Sequence, residues 1–230
     1  MMKKLLTITA SVLASLSISF NVLASENGVH LDHADTDIND QKSLQNGAQL
    51  FMDYCSGCHS ISFMRYNRIA KDLNISNADV KKNLMFSGSK LGDKVVSSMT
   101  EKGAETWFGT TPPDLSLVAR SKGTDWIYTY LRSFYADKSR PFGVNNKVLV
   151  NASMPDVLWE LKKNKSAEDF NQDVRDVTNF LDYVGEPAKL VRVDLGYKVM
   201  GFLFILLILA YLMKKEYWKD VKYGNWRAKD

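Results

Sequence analysis

Cys55-Ser56-Gly57-Cys58-His59 holds both cysteines of a 230-residue chain. Two thiols at this spacing can each add to one vinyl group on an edge of a porphyrin, and the histidine that follows can turn its imidazole to the iron from one face. The pattern is that of a c-type haem attachment site, with one haem held covalently through Cys55 and Cys58 and His59 as a metal ligand. The same pair of cysteines also suits a structural disulfide, a redox dithiol or half of a zinc site. Tetrahedral zinc takes four ligands, and the other histidines, His30 and His33, lie well upstream with no further cysteine. A thioredoxin-like dithiol belongs to a βαβ context that these flanks lack. Thioether bonds would occupy both sulfurs permanently, in keeping with the absence of a third cysteine.

An iron held by one histidine needs a partner on its other face. The downstream methionines of the non-anchor part are Met64, Met85, Met99 and Met154. Met64 is five residues from His59, too near to come round the ring. Met85 falls in a helical pattern, where packing is the default role, and Met99 stands in a polar run. Met154 lies 95 residues beyond His59 in Asn151-Ala152-Ser153-Met154-Pro155, a non-helical stretch with a proline to hold the thioether. It is the favoured ligand, and a thioether raises the potential, which suits electron transfer. The histidine's second ring nitrogen wants an acceptor, and a carbonyl in a rigid loop serves well. Thr111-Pro112-Pro113-Asp114-Leu115-Ser116 is such a segment, because each proline fixes its own φ and restricts the residue before it. Arg120 can either pair with a haem propionate or face solvent.

Helices are expected to position these groups. Residues 43–58 carry Leu44, Ala48, Phe51 and Tyr54 or Cys55 at helical spacing and deliver the motif at their end, with Gly57 easing the turn. Residues 60–73 form another amphipathic stretch. Ser76 or Asn77 caps a short helix running to Phe86, and residues 87–109, rich in Gly, Ser and Lys, read as loop. Residues 124–136 give an aromatic amphipathic helix with Trp126, Tyr130 and Phe134 on its apolar side. Residues 157–161 continue as helix, and residues 169–183 give a further strong helix with Gly185 beyond its end. The fold class is all-α.

Residues 1–24 have the basic start, apolar middle and small residues before Ala24 of a cleaved signal peptide. Residues 26–40 hold five acids, no base, and His30 and His33; a solvated arm is the favoured reading over a metal site or docking strip. Residues 195–213 are long and apolar enough to span a membrane, with Lys198 reaching the headgroups. The tail, 214–230, holds six bases and three acids, which places it in the cytoplasm and the haem domain, 25–194, in the periplasm of a bacterial inner membrane. Between residues 25 and 197 there are 21 bases and 23 acids, a net of −2. A mildly acidic domain suits a basic redox partner. No basic, aromatic-interleaved stretch points to nucleic acid.

In order along the chain, Cys55-Ser56-Gly57-Cys58-His59-Ser60, Pro112-Pro113-Asp114-Leu115-Ser116, the Met154-Pro155 loop and a single anchor ending Met213-Lys214-Lys215-Glu216-Tyr217-Trp218 resemble the cytochrome c1 family of the respiratory cytochrome bc1 complex. The resemblance implies a class I cytochrome c-like haem domain, thioether links at Cys55 and Cys58, axial ligands His59 and Met154, and a propionate-pairing arginine that matches Arg120. It departs from the family at Trp126, where tyrosine is usual, and in a short segment around 87–109. The implied role is a relay from a Rieske iron–sulfur protein to a soluble or tethered cytochrome c. Cytochrome b and Rieske subunits would be its partners in a dimeric complex that touches membrane lipid, and the chain itself would have no acid–base or nucleophilic site. The alternatives are a membrane-tethered cytochrome c shuttle and the haem c subunit of a terminal oxidase or nitric oxide reductase, many of which are anchored at the N-terminus. A peroxidase would need an iron position that a Met154 ligand closes.

Overall fold

The computed structural model describes residues 28–86 and 90–224. The expected signal peptide, Glu26 and the end of the tail lie outside them. After an extended arm, the Asp40 carboxylate accepts the Lys42 and Ser43 amides at 3.0 and 3.1 Å and so caps α1, Gln41–Tyr54. The helix stops one residue before Cys55, and residues 55–58 are turns. Residues 60–73 are not uniformly helical. They split into a strand, β1 (Ile61–Arg65), and α2 (Tyr66–Asp72). Ser76 caps α3 (Asn77–Asp79), which runs on as a π-helical turn, Val80–Leu84.

Residues 87–109 are more than loop. They contain β2 (Lys94–Val95), paired antiparallel with β1 through Ile61↔Val95, and α4 (Glu101–Phe108). Thr100 caps α4 and Gly109 ends it at φ +70°, a conformation costly for any residue with a Cβ. Gly123, at φ +88°, separates α5 (Val118–Lys122) from α6 (Thr124–Arg132). α6 ends short of the expected Ala136 because Phe134–Ala136 is a strand, β3, paired with β4 (Val144–Asn146). Then follow α7 (Trp159–Asn164), α8 (Ala167–Gly185, capped by Ser166), α9 (Lys189–Tyr217) and α10 (Lys219–Tyr223). The all-α expectation holds, with two small antiparallel ladders added.

The core forms where α1 crosses α8. A Cβ on Gly47 would stand 2.0 Å from the Asp176 carbonyl oxygen and 2.9 Å from Phe180 Cβ, so only glycine lets the two backbones meet. The buried Asp176 carboxylate accepts from Ser43 Oγ (2.7 Å), Asn46 Nδ2 (2.7 Å) and Gln172 Nε2 (2.8 Å). Phe51 and Phe180 pack beside it with ring centroids 5.7 Å apart. Farther along α8 the buried Tyr183 hydroxyl donates to Asp72 at 2.9 Å, tying α2 to the same helix.

The acidic arm is not merely solvated. Ala34 and Ile38 are buried, and the arm is laced to α6 and α8. Asp32 N–H donates to Thr129 Oγ1 (2.8 Å), Ala34 N–H to Asp125 Oδ1 (2.9 Å), Arg175 Nε to the Ala34 carbonyl (3.0 Å) and Asn179 Nδ2 to the Asp37 carbonyl (2.7 Å). Arg132 pairs with Asp32 at 2.9 Å. His33 sits between Asp125 at 3.0 Å and Asp35 at 3.3 Å.

At the other end, only Glu186, Pro187 and Ala188 separate α8 from α9. Glu186 pairs with Arg120 at 3.2 Å and with Arg192 at 3.0 Å, and Lys189 reaches Asp182 at 3.4 Å. The 29 residues of α9 contain the expected span, and the helix is long and apolar enough to cross a membrane.

Two outcomes are expected. Gly47→Ala destabilises the fold by about 3 kcal/mol or more, the upper end of overpacking because backbone must move; Gly57→Ala, whose Cβ meets nothing within 4 Å, leaves the thermal midpoint nearly unchanged. Thermal unfolding of the two variants checks the contrast. His33 is held above its ordinary 6.5 by the hydrogen bond its ring N–H donates to the Asp125 carboxylate, then by the charges of Asp125 and Asp35. Its contribution to docking the arm is therefore complete below pH 6.5 and fades as pH rises through the raised value. NMR titration of the imidazole should show the raised midpoint, and Asp125→Asn should bring it back down.

Candidate haem site

The motif is one further turn of chain at the end of α1. Cys55 N–H still bonds to the Phe51 carbonyl at 2.9 Å, and the amides of Cys58 and His59 both return to the Cys55 carbonyl, at 3.1 and 2.8 Å. Ser56 Oγ donates to the Met52 carbonyl and Ser97 Oγ to the Gly57 carbonyl, each at 2.7 Å. Gly57 does not take a positive φ, so the turn does not depend on glycine there. The two cysteines are not joined in a disulfide. Burial pushes the Cys55 thiol up to about 12, and burial also raises Cys58.

His59 is fixed through its Nδ1, 2.7 Å from the Pro113 carbonyl oxygen. Nδ1 is therefore the protonated donor, and Nε2 is left as the ring's acceptor nitrogen. Burial lowers the imidazole's pKa, against smaller opposite effects of that carbonyl and of Asp114, so the ring is neutral. The proline loop is itself bound to the strand that follows His59. Leu115 N–H donates to the Ser60 carbonyl (2.8 Å), Ser62 N–H to Asp114 Oδ2 (3.0 Å) and Phe63 N–H to Ser116 Oγ (3.1 Å). Burial pushes the Asp114 carboxyl up, but hydrogen bonds from Ser116 and Ser62 outweigh it and hold it below the usual carboxylate range.

Met154 is presented by a loop that hangs from the β3–β4 hairpin. Asn146, fully buried, donates through Nδ2 to the Tyr130 carbonyl (2.8 Å) and accepts the amides of Val148 (2.8 Å) and Leu149 (3.1 Å). Asn145 Oδ1 accepts the Asn151 amide at 2.8 Å, and Arg140 Nη2 donates to the Asn151 carbonyl at 2.8 Å. Asn151 stands at φ +66°, a left-handed conformation that asparagine tolerates better than most residues. Inside the loop Met154 packs half-buried against the core, and its sulfur accepts a hydrogen bond from the Tyr130 hydroxyl at 3.5 Å.

A neutral imidazole anchored through Nδ1, a thioether and two thiols are the kinds of donor that fit an iron porphyrin. Met99 lies two residues from Ser97, the residue that grips Gly57, and so stands by the attachment motif rather than in the Met154 loop. Arg120 is engaged with Glu186. Reading the sequence by spacing alone missed Arg140, Asn145, Asn146 and the hydroxyl of Tyr130. The signal available was polar: an Asn-Asn pair before an apolar run, and a phenol on an otherwise apolar stripe, which seeks a partner when buried. Among the described residues no group of three or more His, Cys, Asp or Glu is placed to hold a metal ion.

A model of the Cytochrome C1 family matches residues 33–221. The chain is 45% identical to cytochrome c1 of Allochromatium vinosum, over 96% of this chain and 100% of that protein. It is 41% identical to the ammonia monooxygenase gamma subunit of Nitrosomonas europaea, over 91% of this chain and 97% of that one. Cytochrome c1 of Rhodospirillum rubrum is 26% identical over 90% of this chain and 94% of its own length.

Covalent attachment has a direct check. On a denaturing gel the chain should keep a haem stain, and Cys55→Ala combined with Cys58→Ala should abolish it.

Proposed function

The chain belongs to the cytochrome c1 family, and from that premise we propose that it relays single electrons from a Rieske iron–sulfur protein to a cytochrome c. Members of the family bind haem c covalently and are membrane-anchored subunits of the cytochrome bc1 complex, with cytochrome b and the Rieske protein; electron transfer in that complex is the work of this chain. The haem supplies an iron that changes by one electron.

The observation that carries the proposal is the 2.7 Å contact between His59 Nδ1 and the Pro113 carbonyl. It fixes the tautomer, aims Nε2 outward as a ligand and raises the basicity of the ring. In this reading Cys55 and Cys58 would make the thioethers, His59 and Met154 would hold the iron, Pro113 would position His59, and Arg120 would pair with a propionate. With His59 and Met154 both on the iron, the haem would have no open position for a small molecule, and the chemistry it would supply is one-electron transfer. Residues 1–24 act as a signal peptide, the haem domain faces the periplasm, and the basic tail stays in the cytoplasm. The domain's net charge of −2 favours a basic acceptor, and the complex is a dimer.

The Nitrosomonas relative, named as a monooxygenase subunit, supports a second reading, in which the chain serves another membrane oxidoreductase. Subunits that copurify in mild detergent separate the two. Cytochrome b and a Rieske protein favour the first.

Ligand assignment is tested by Met154→Leu. The variant should keep covalent haem, lose the weak long-wavelength sulfur-to-iron band of the oxidised form, bind carbon monoxide when reduced, and fall in potential. Met99→Leu should change none of these. The reverse pattern would overturn the assignment.

A further inference from the structure

We infer that Tyr130 is a positioning residue for the redox centre: its hydroxyl, hydrogen-bonded to the Met154 sulfur, sets how strongly that sulfur binds ferric iron. The inference rests on Met154 being the second iron ligand. It goes beyond that reading by assigning a further group that adjusts the ligand.

The phenol is held on every side. Its ring stacks on Trp126 at 4.9 Å with planes 7° apart and meets Phe134 edge-on at 5.3 Å. Its own carbonyl is gripped by the buried Asn146, which also accepts two amides of the Met154 loop. Tyr130 and the ligand loop are thus fastened to the same side chain, and the 3.5 Å contact between Oη and Sδ joins two parts already in register. Tyr130 is 8% exposed.

A thioether sulfur has two lone pairs. One can bind a metal while the other accepts a weak hydrogen bond. That bond draws electron density from sulfur, and the loss matters more to ferric than to ferrous iron, because the ferric ion depends more on donated density. The hydroxyl therefore favours the ferrous form and loosens the ferric sulfur bond. Both effects have the scale of one hydrogen bond to a poor acceptor.

The test uses the full-length holoprotein in detergent and the isosteric variant Tyr130→Phe. At a fixed ambient potential the ratio of reduced to oxidised haem should fall roughly two- to five-fold, the scale of one weak hydrogen bond. Added imidazole should displace the sulfur from the ferric form less readily, by a similar factor, as followed by loss of the long-wavelength band. A tyrosine that only filled space would give another pattern. Opening the pocket would also lower the potential, but imidazole would then enter more easily, and that result overturns the inference. So does a variant unchanged in both readouts.

Met154→Leu run in parallel separates the two levels. If it keeps the band, the ligand reading falls and takes the inference with it. If it loses the band while Tyr130→Phe is silent, the inference alone falls. Should Tyr130→Phe fail to accumulate with haem, the wild-type reduced protein answers by NMR. A phenolic proton with a cross-peak to the Met154 methyl group supports the hydrogen bond, and its absence with both resonances assigned overturns it.

Discussion

One close approach of two backbones underlies the molecule. Gly47 lets α1 lie against the carbonyl of Asp176, and every contact that orients the end of α1 follows from that depth. Ser43, Asn46 and Gln172 share the Asp176 carboxylate, and Phe51 reaches Phe180. Buried, a carboxylate with unmet acceptors is costly, whereas one fully hydrogen-bonded resists sliding or rotation of either helix. Since Cys55 follows directly on α1, a crossing made for packing also sets the position of the attachment motif.

From that fixed point the two candidate ligands are held by different means. His59 is held by a stiff proline loop whose backbone and the Asp114 and Ser116 side chains hydrogen-bond to residues 60–63 and which offers one carbonyl to the imidazole. The Met154 loop depends on side-chain amides. Asn145 and Asn146 stand in for secondary structure by satisfying loop amides that no helix or strand reaches. A thioether needs such a frame, since it has no strong polar handle by which to be oriented.

What could be read from the sequence was what depends on local spacing. The attachment motif, Met154 beside its proline, the periodicity of α1, α6 and α8 and the apolar run in α9 all show within a few turns of chain. The missing parts are created by distant partners. The arm looked solvated because Asp32, His33 and Ala34 find their partners on α6, some ninety residues on. Residues 87–109 looked irregular because β2 exists only by pairing with Ile61, and Ser97 matters only because it grips Gly57. The helix expected to run to Ala136 ends at Arg132 because the chain doubles back and β4 captures it as a strand. Tyr130 was legible as an apolar stripe position, while its hydroxyl acquired meaning only when the loop of Met154 closed over it.

The short join between α8 and α9 bears on how the chain can move. Glu186 is bridged on one side to Arg120 and on the other to Arg192, and Lys189 ties back to Asp182. Such exposed pairs are individually weak, yet with only Glu186, Pro187 and Ala188 between the helices they leave little slack for a swinging tether. About six residues of α9 precede the apolar stretch, a rise of roughly 9 Å. The redox group is therefore carried as on a post of set height rather than on a leash.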